Sequence, residues 1–576
     1  MTPNRIFPLL LTLAATSLAS GCNPQTATTP ASSSSDVLKL LYWQAPTILN
    51  PHLSTGFKDS EASRITLEPL ASFDKEGKLV PILATEIPSK ENGGLAADGK
   101  SVTWKLKPGV KWSDGQPFTA QDVVFTYEFV IDTQVASVNA GVYEAIDRVE
   151  ALDNTTVKVT FKEPNPSWTL PFVGSEGSIL PKHQFAAYKG ANSRSAPANL
   201  QAVGTGPYRV VEFKPGDVVV YEANPEYREA DQLGFTRVEL KGGGDATSAA
   251  RAVLQTGEAD FAENLQVEPQ VLAQLEAGGK GQVVASFGPL SERILLNQTD
   301  PNQANAKGDR SVLEFPHPFL TDGKVRQAFN LAIDRESIAT QLYGKTGKAV
   351  ANLLLSPEPY NSPNTSAQFD LEEAAKLLDE AGWKDTNNNG IRDKNGVEMK
   401  VLFQSSVNPA RQKTQELVGQ SLKQLGVGVE LKSIDPSIMF SSEPGNTDTI
   451  ARFYADLQMF TTGNVSPDPQ IYMKIYTCKE RATPENNWSG TNYSRYCNPQ
   501  YDALWQQAAG ELDPQKRTQL FIQMNDLLVN DIAVMPIVHR ADVMATSNQL
   551  TGLDVTPWDR KTWNIAQWKK GTPTQP

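Results

Sequence analysis

The chain predicts a mixed α/β protein, and three observations carry that expectation. Apolar residues make up 39% and aromatic residues 8% of its 576 positions, enough to fill large packed cores. Short runs that alternate apolar and polar on a period of two interleave with longer runs at helical spacing, an order that builds several small sheets with helices between them. No fixed-period repeat and no second low-complexity segment interrupts the body from Asp36 onward.

The elements are expected in the following order. Residues 37–43 read as a strand that stops at Pro46. Residues 102–106 and 155–161 alternate on a period of two, as half-buried antiparallel strands do. Between them Thr119, three residues before Asp122, makes a variant capping box and opens a helix through about Ile131. Residues 325–342 read as one helix, with Ala328, Leu331, Ala332, Ile338 and Leu342 along one side. A third helix spans 371–380 and stops at Gly382. A fourth spans 411–425, ends at Gly426 and leads into a strand over 427–431. A fifth spans 516–529.

The N-terminus stands apart from this body. Arg5 precedes an apolar run over 6–18, too short to span a bilayer as a mature helix, and small residues Ala19, Ser20 and Gly21 lead into Cys22. Residues 1–21 are therefore expected to be an export signal. The Cys22 context resembles a bacterial lipobox, with Ala19 where leucine is usual, and implies a lipid anchor on Cys22 followed by a polar tether over 22–36. The protein is expected outside the cytoplasm, in the periplasm or on the outer face of the cytoplasmic membrane. In that oxidising compartment Cys478 and Cys497 can pair, closing a loop worth roughly 3 kcal/mol.

Composition and motifs also exclude functions. The formal net charge of -12 argues against a nucleic-acid partner, whose phosphates demand clustered Lys and Arg. The four histidines, His52, His183, His317 and His539, are scattered, and no H-E-x-x-H is present. Gly174-Ser175-Glu176-Gly177 has its serine one place early for a nucleophile elbow. The segment from Gly344 to Lys348 lacks the first glycine and the hydroxyl of a P-loop. A hydrolase therefore has little support. One loop has metal-ligand spacing: Asp385, Asn387, Asn389 and Asp393 supply side-chain oxygens at positions one, three, five and nine, Gly390 the turn at six and Ile391 a carbonyl at seven. Position twelve is Gly396, with Glu398 nearby. A structural Ca²⁺ is the candidate ion, and no cofactor is required.

Ordered blocks then carry a family resemblance. Leu49-Asn50-Pro51, Glu68-Pro69-Leu70, Pro81-Ile82-Leu83-Ala84, the segment from Trp104 through Gly115, Phe118 to Val123, Gly204-Thr205-Gly206-Pro207-Tyr208, Val325-Arg326-Gln327-Ala328 and Asn498-Pro499-Gln500-Tyr501-Asp502 resemble the family 5 extracellular solute-binding proteins, the peptide and nickel receptors of ABC importers. The resemblance runs from about residue 38 to the C-terminus. It implies a two-lobed periplasmic-binding-protein fold of the large peptide-binding type. Lobe one would be 37–290 with an extra subdomain near 73–200, lobe two 291–535, and 536–576 a return to lobe one. Stretches at 294–297 and 534–538 would be the two crossings. It also implies a monomer, partnered by ABC permease subunits, that closes on its solute.

For the ligand, the resemblance places the binding residues at Trp43, Glu68, Gly206, Gln404, Ser405, Thr462, Gly463, Asn464 and Asp468. Peptide-binding relatives hold the ligand amine with an aspartate in a W-x-x-D segment. Here Thr461 stands for the tryptophan and Asn464 for the aspartate, with Asp468 as an alternative acid. Dipeptide binders place a cation shortly before an Asn-Pro pair; here Gln404 and Ser405 precede Asn408-Pro409, and the first cation is Arg411. Neutral hydrogen-bonding groups thus replace both charges. That leaves open a longer peptide held by its backbone, a neutral solute such as an oligosaccharide, or a metal chelate.

Overall fold

The computed structural model describes residues 36–42, 44–54, 56–242, 244–440 and 446–571. The expected signal, Cys22, most of the tether and Trp43 lie outside the described residues. No described helix is long and apolar enough to cross a membrane.

The strands are, in chain order, β1 (Val37–Tyr42), β2 (Ala71–Phe73), β3 (Leu79–Pro81), β4 (Ser101–Lys105), β5 (Ile146–Ala151), β6 (Thr156–Phe161), β7 (Tyr208–Lys214), β8 (Val218–Ala223), β9 (Arg237–Gly242), β10 (Phe261–Glu263), β11 (Gly281–Leu296), β12 (Gly347–Ala349), β13 (Asp393–Lys394), β14 (Val397–Glu398), β15 (Lys400–Ser406), β16 (Gly428–Ile434), β17 (Leu457–Thr462) and β18 (Val534–Ser547). One 11-stranded sheet runs through the molecule in the order β16-β15-β17-β11-β18-β10-β1-β9-β8-β7, with β12 also on β18. Its two halves are separate lobes. In lobe one β9, β1 and β10 are parallel; in lobe two β16, β15 and β17 are parallel. β11 and β18 belong to both halves and pair antiparallel along nearly their whole lengths. Their ladder slips between Phe287 and Ser291, opposite Ala541 and His539, where the chain passes from one lobe to the other.

Each lobe buries apolar side chains on both faces of its half-sheet, the arrangement that parallel strands require. In lobe one, Leu38, Leu40, Tyr42, Phe261, Met544 and Trp568 pack on one face, and Ala262, Leu254, Leu265, Ala541 and Val543 on the other. Lobe two buries Ile294, Met459, Phe403 and Val418 on one face and Leu295, Phe460, Tyr501 and Phe521 on the other. A third body, the extra subdomain, carries the β4-β6-β5 sheet over its own core of Trp104, Trp112, Phe129, Val157 and Phe172.

Local sequence explains most helix ends. Thr119 caps Ala120–Ile131 with a complete capping box. Asp370 caps Leu371–Glu380, Asn408 caps Pro409–Gln424 and Asp513 caps Pro514–Asn530, the last two with proline in the first turn. The helix expected over 325–342 is a correction. It ends at Leu331, and a new one begins at Arg335. Asp334 accepts from the Ser337 amide at 3.0 Å and from its hydroxyl at 2.6 Å, so it acts as an N-cap in the middle of the apolar pattern. The Arg335 side chain, only 5% exposed, binds the Pro536 carbonyl at 2.7 Å and fixes the break against β18.

Candidate functional site

The register of the sheet locates the cleft. β17 runs antiparallel to β11 with Thr462 beside Ser291, and β10 runs antiparallel to β18 from the other side, with Ala262 beside Ala545. The carboxyl ends of the parallel strands of both lobes therefore converge on the slip in the β11/β18 ladder. Ligands of open α/β sheets bind outside such strand ends.

The lobes meet on both sides of this point. On one side the Ser167 hydroxyl, from the subdomain, donates to Asp468 at 2.7 Å and accepts from Arg517 at 2.7 Å. Arg517 in turn grips Asp468 with two hydrogen bonds of 2.7 and 3.0 Å. Lys474 reaches across to Glu144 at 2.6 Å. On the other side Asn408 donates to Gln266 at 2.8 Å, and Lys413 pairs with Glu268 at 2.8 Å. Between the subdomain and lobe two lies a narrow cavity of about 30 Å³, walled by Phe73, Leu170, Val173, Ile471 and Trp558 and by Asn464 and Asp468.

Asn464 is the wall residue of that cavity with a buried acceptor left over. It is 2% exposed, and its two amide hydrogens go to the carbonyls of Ser356 at 2.9 Å and Ser466 at 2.8 Å. Those two bonds fix the amide orientation and leave Oδ1 buried without a donor.

The other expected ligand-binding residues sit differently. The Glu68 carboxylate takes two hydrogen bonds of 2.8 Å from Arg228 and one of 2.9 Å from Thr205. Gly206 lies flat on the backbone of Thr66, where a Cβ would come within 2.7 Å of the carbonyl oxygen. Gln404 donates to Gln458 at 2.6 Å, and Ser405 to the Met459 carbonyl at 2.9 Å, both buried within the sheet. Thr462 and Gly463 close β17 against the slip, with Gly463 so near Pro289 that a Cβ would lie 2.2 Å from its carbonyl oxygen. Asp468 borders the cavity, but Arg517 and Ser167 occupy its carboxylate.

The calcium-like loop closes on itself. Asp385 accepts from the amides of Asn389 at 3.1 Å and Gly390 at 2.9 Å, and Asn389 accepts from Ile391 at 2.9 Å. Asp393 turns to Thr386 instead. Among the described residues no three His, Cys, Asp or Glu side chains gather to hold a metal. Cys478 and Cys497 are joined as a disulfide.

Charges at the crossing were invisible to sequence reasoning. Glu292 on β11 is 1% exposed and paired with Arg411 through bonds of 3.1 and 3.0 Å; Thr461 donates to the same carboxylate. Burial works against the Glu292 anion, yet Arg411 and its hydrogen bonds hold the carboxyl below its ordinary range. Arg411 is thus a structural partner of the crossing. In lobe one, Lys561 pairs with Asp542 at 2.8 Å, and its backbone amide donates to Glu61 at 2.9 Å.

The chain matches the family model described as "Bacterial extracellular solute-binding proteins, family 5 Middle" over residues 78–483. It belongs to that family. Such a protein is a binding receptor, not an enzyme, and works outside the cytoplasm. Relatives span almost the whole chain. An oligopeptide-binding protein, AppA of Bacillus subtilis, is 27% identical over 530 residues, 91% of this chain and 89% of that protein. A glutathione-binding protein, GsiB of Escherichia coli K12, is 24% identical over 513 residues, 89% of this chain and 90% of that protein. The solved structure of B. subtilis AppA with a nonapeptide superposes with a TM-score of 0.77 at 24% identity, covering 93% of this chain and 99% of that one. NikZ of Campylobacter jejuni with Ni(L-His) also reaches 0.77, at 23% identity, covering 93% of this chain and 100% of that one. These likenesses show the two-lobed fold.

Proposed function

We propose that this receptor captures a peptide-like solute between its lobes and hands it to an ABC permease at the membrane. Asn464 carries the reading. Its orphaned Oδ1, held rigidly on the wall of a largely apolar inter-lobe cavity, is an acceptor suited to an N–H donor, and a buried acceptor left without one costs about 1–3 kcal/mol. A peptide amine or backbone amide supplies such a donor, and in this reading the lobes part to admit the rest of the peptide against the apolar wall. The peptide-binding relatives support this choice over an oligosaccharide or a metal chelate. Export is completed in this reading by a lipid on Cys22, tested by labelled palmitate incorporation that is lost in Cys22→Ser.

The deciding experiment is native mass spectrometry of the solute that co-purifies, followed by calorimetry with tetra-alanine. Peptides are expected, and Asn464→Ala should weaken tetra-alanine binding about tenfold, in line with the loss of one buried hydrogen bond. Co-purification of a saccharide or a nickel chelate, with no response to peptides, overturns the reading.

A further inference from the structure

Two charges at the crossing of the lobes are buried and unspent. Glu263 ends β10 and is 8% exposed; among the described residues its carboxylate has no hydrogen bond and no ion pair within 4 Å. Two acids and two bases surround it, and burial together with the acids pushes its own carboxyl well above the ordinary range. Glu61, from the helix Phe57–Arg64, and Asp542 on β18 both press on it electrostatically, with Lys561 and Arg540 as the countercharges. Lys561 is already committed to Asp542, and its backbone to Glu61.

Arg540 is the complement. It lies on β18 at the ladder slip, 9% exposed, with its Nε buried and without an acceptor. Among the described residues its one ion pair is with Glu292 at 4.0 Å, and that carboxylate already takes three hydrogen bonds from Arg411 and Thr461. Arg540 acts on both lobes, stabilising the charged forms of Glu292 in one and Asp542 in the other.

An acid and a base, each nine-tenths buried, neither with a hydrogen-bond partner for its side chain among the described residues and not paired with each other, sit where the carboxyl ends of both sets of parallel strands converge. Burying either alone is costly unless something pairs it. We propose that Glu263 and Arg540 form a charge-reading floor of the cleft that takes a zwitterionic solute, its ammonium on Glu263 and its carboxylate on Arg540. The assignment rests on the peptide reading above and adds to it the groups that recognise the two charges, separate from the neutral contact at Asn464.

The test compares three probes on the full chain by calorimetry: trialanine, N-acetyl-trialanine and trialanine amide. Glu263→Gln should weaken trialanine at least tenfold and leave the N-acetylated peptide at its wild-type affinity. Arg540→Gln should weaken trialanine at least tenfold and leave the amide unchanged. Wild-type affinity for trialanine in both variants overturns the floor, as does an equal loss for all three probes, which would mark a general packing defect. Melting temperature provides an arm that needs no peptide. An unpaired buried carboxylate destabilises the fold when ionised, so Glu263→Gln should melt higher than wild type at pH 8; a lower melting temperature overturns the proposal. A wild type blind to all three peptides overturns the peptide reading alone, and the melting comparison then decides the charge pair.

Discussion

Buried in the lobe-one subdomain, His52 donates from Nε2 to the Ser178 carbonyl at 2.8 Å and accepts at Nδ1 from Asn139 at 3.1 Å. That pattern is the neutral imidazole, and burial pushes its pKa down to about 4. An unfolded histidine titrates near 6.5, so the folded state prefers the unprotonated ring. Its contribution is complete above pH 6.5 and is lost as the pH falls toward 4, about 3 kcal/mol in all. His52→Gln should lower the melting temperature at pH 7.5 but flatten its decline between pH 6.5 and 4. An unchanged slope would place the acid sensitivity elsewhere. At this same scale the site was only partly legible. Asn464 could be singled out because it stands where a motif expects an acid. Glu263 and Arg540 could not, because 277 positions of sequence separate them and each is an ordinary charged residue until β10 and β18 are placed side by side. Glu68 shows the same limit: nothing in its motif position announces Arg228, whose two hydrogen bonds engage its carboxylate.

Among the elements, the segment from Cys478 to Cys497 is stapled across a sequence separation of 19. Between the cysteines it holds two short 3₁₀ turns and no longer helix, so the cross-link restrains a stretch with little regular structure of its own. Replacing both cysteines with serine is expected to cost roughly 3 kcal/mol in the chain-entropy model, read as a lower urea midpoint; an unaltered midpoint would show that packing alone holds the loop. Elements bounded by strong local signals were readable from sequence: Thr119 opens its helix with a capping box, and the helices ending at Glu380 and Gln424 stop just before Gly382 and Gly426. The one misjudged helix, near 331–335, shows where such reading fails. Apolar spacing continued through the break, while the capping aspartate Asp334 and the long-range bond from Arg335 to Pro536 enforced it. Periodicity reports a face to be buried, but not whether one rod or two will bury it.

For the whole molecule, one inter-lobe bond can be removed cleanly, the clasp of Ser167 on Asp468 and Arg517. Because the Asp468–Arg517 pair is internal to lobe two, Ser167→Ala removes only the contribution of lobe one. It should speed solute release about fivefold, the equivalent of about 1 kcal/mol, with little change in melting temperature, measured by stopped-flow tryptophan fluorescence. An unchanged release rate would show that the clasp does not restrain opening.

The place of β18 has a consequence for how the chain is made. Residues 534–547 lie in the middle of the sheet, between β10 and β11, although they follow every other strand of that sheet along the chain. Until they arrive, β10 and the first half of β11 each present an open edge, and neither can pair with the other. Lobe two meets the same gap beside the second half of β11. A chain cut short by a premature stop near residue 530 would keep nine-tenths of its residues yet carry two exposed strand edges, a substrate for proteases and a template for aggregation. Completion of this sheet is thus governed by its last strand, and a stop just before β18 should be as damaging as one far upstream.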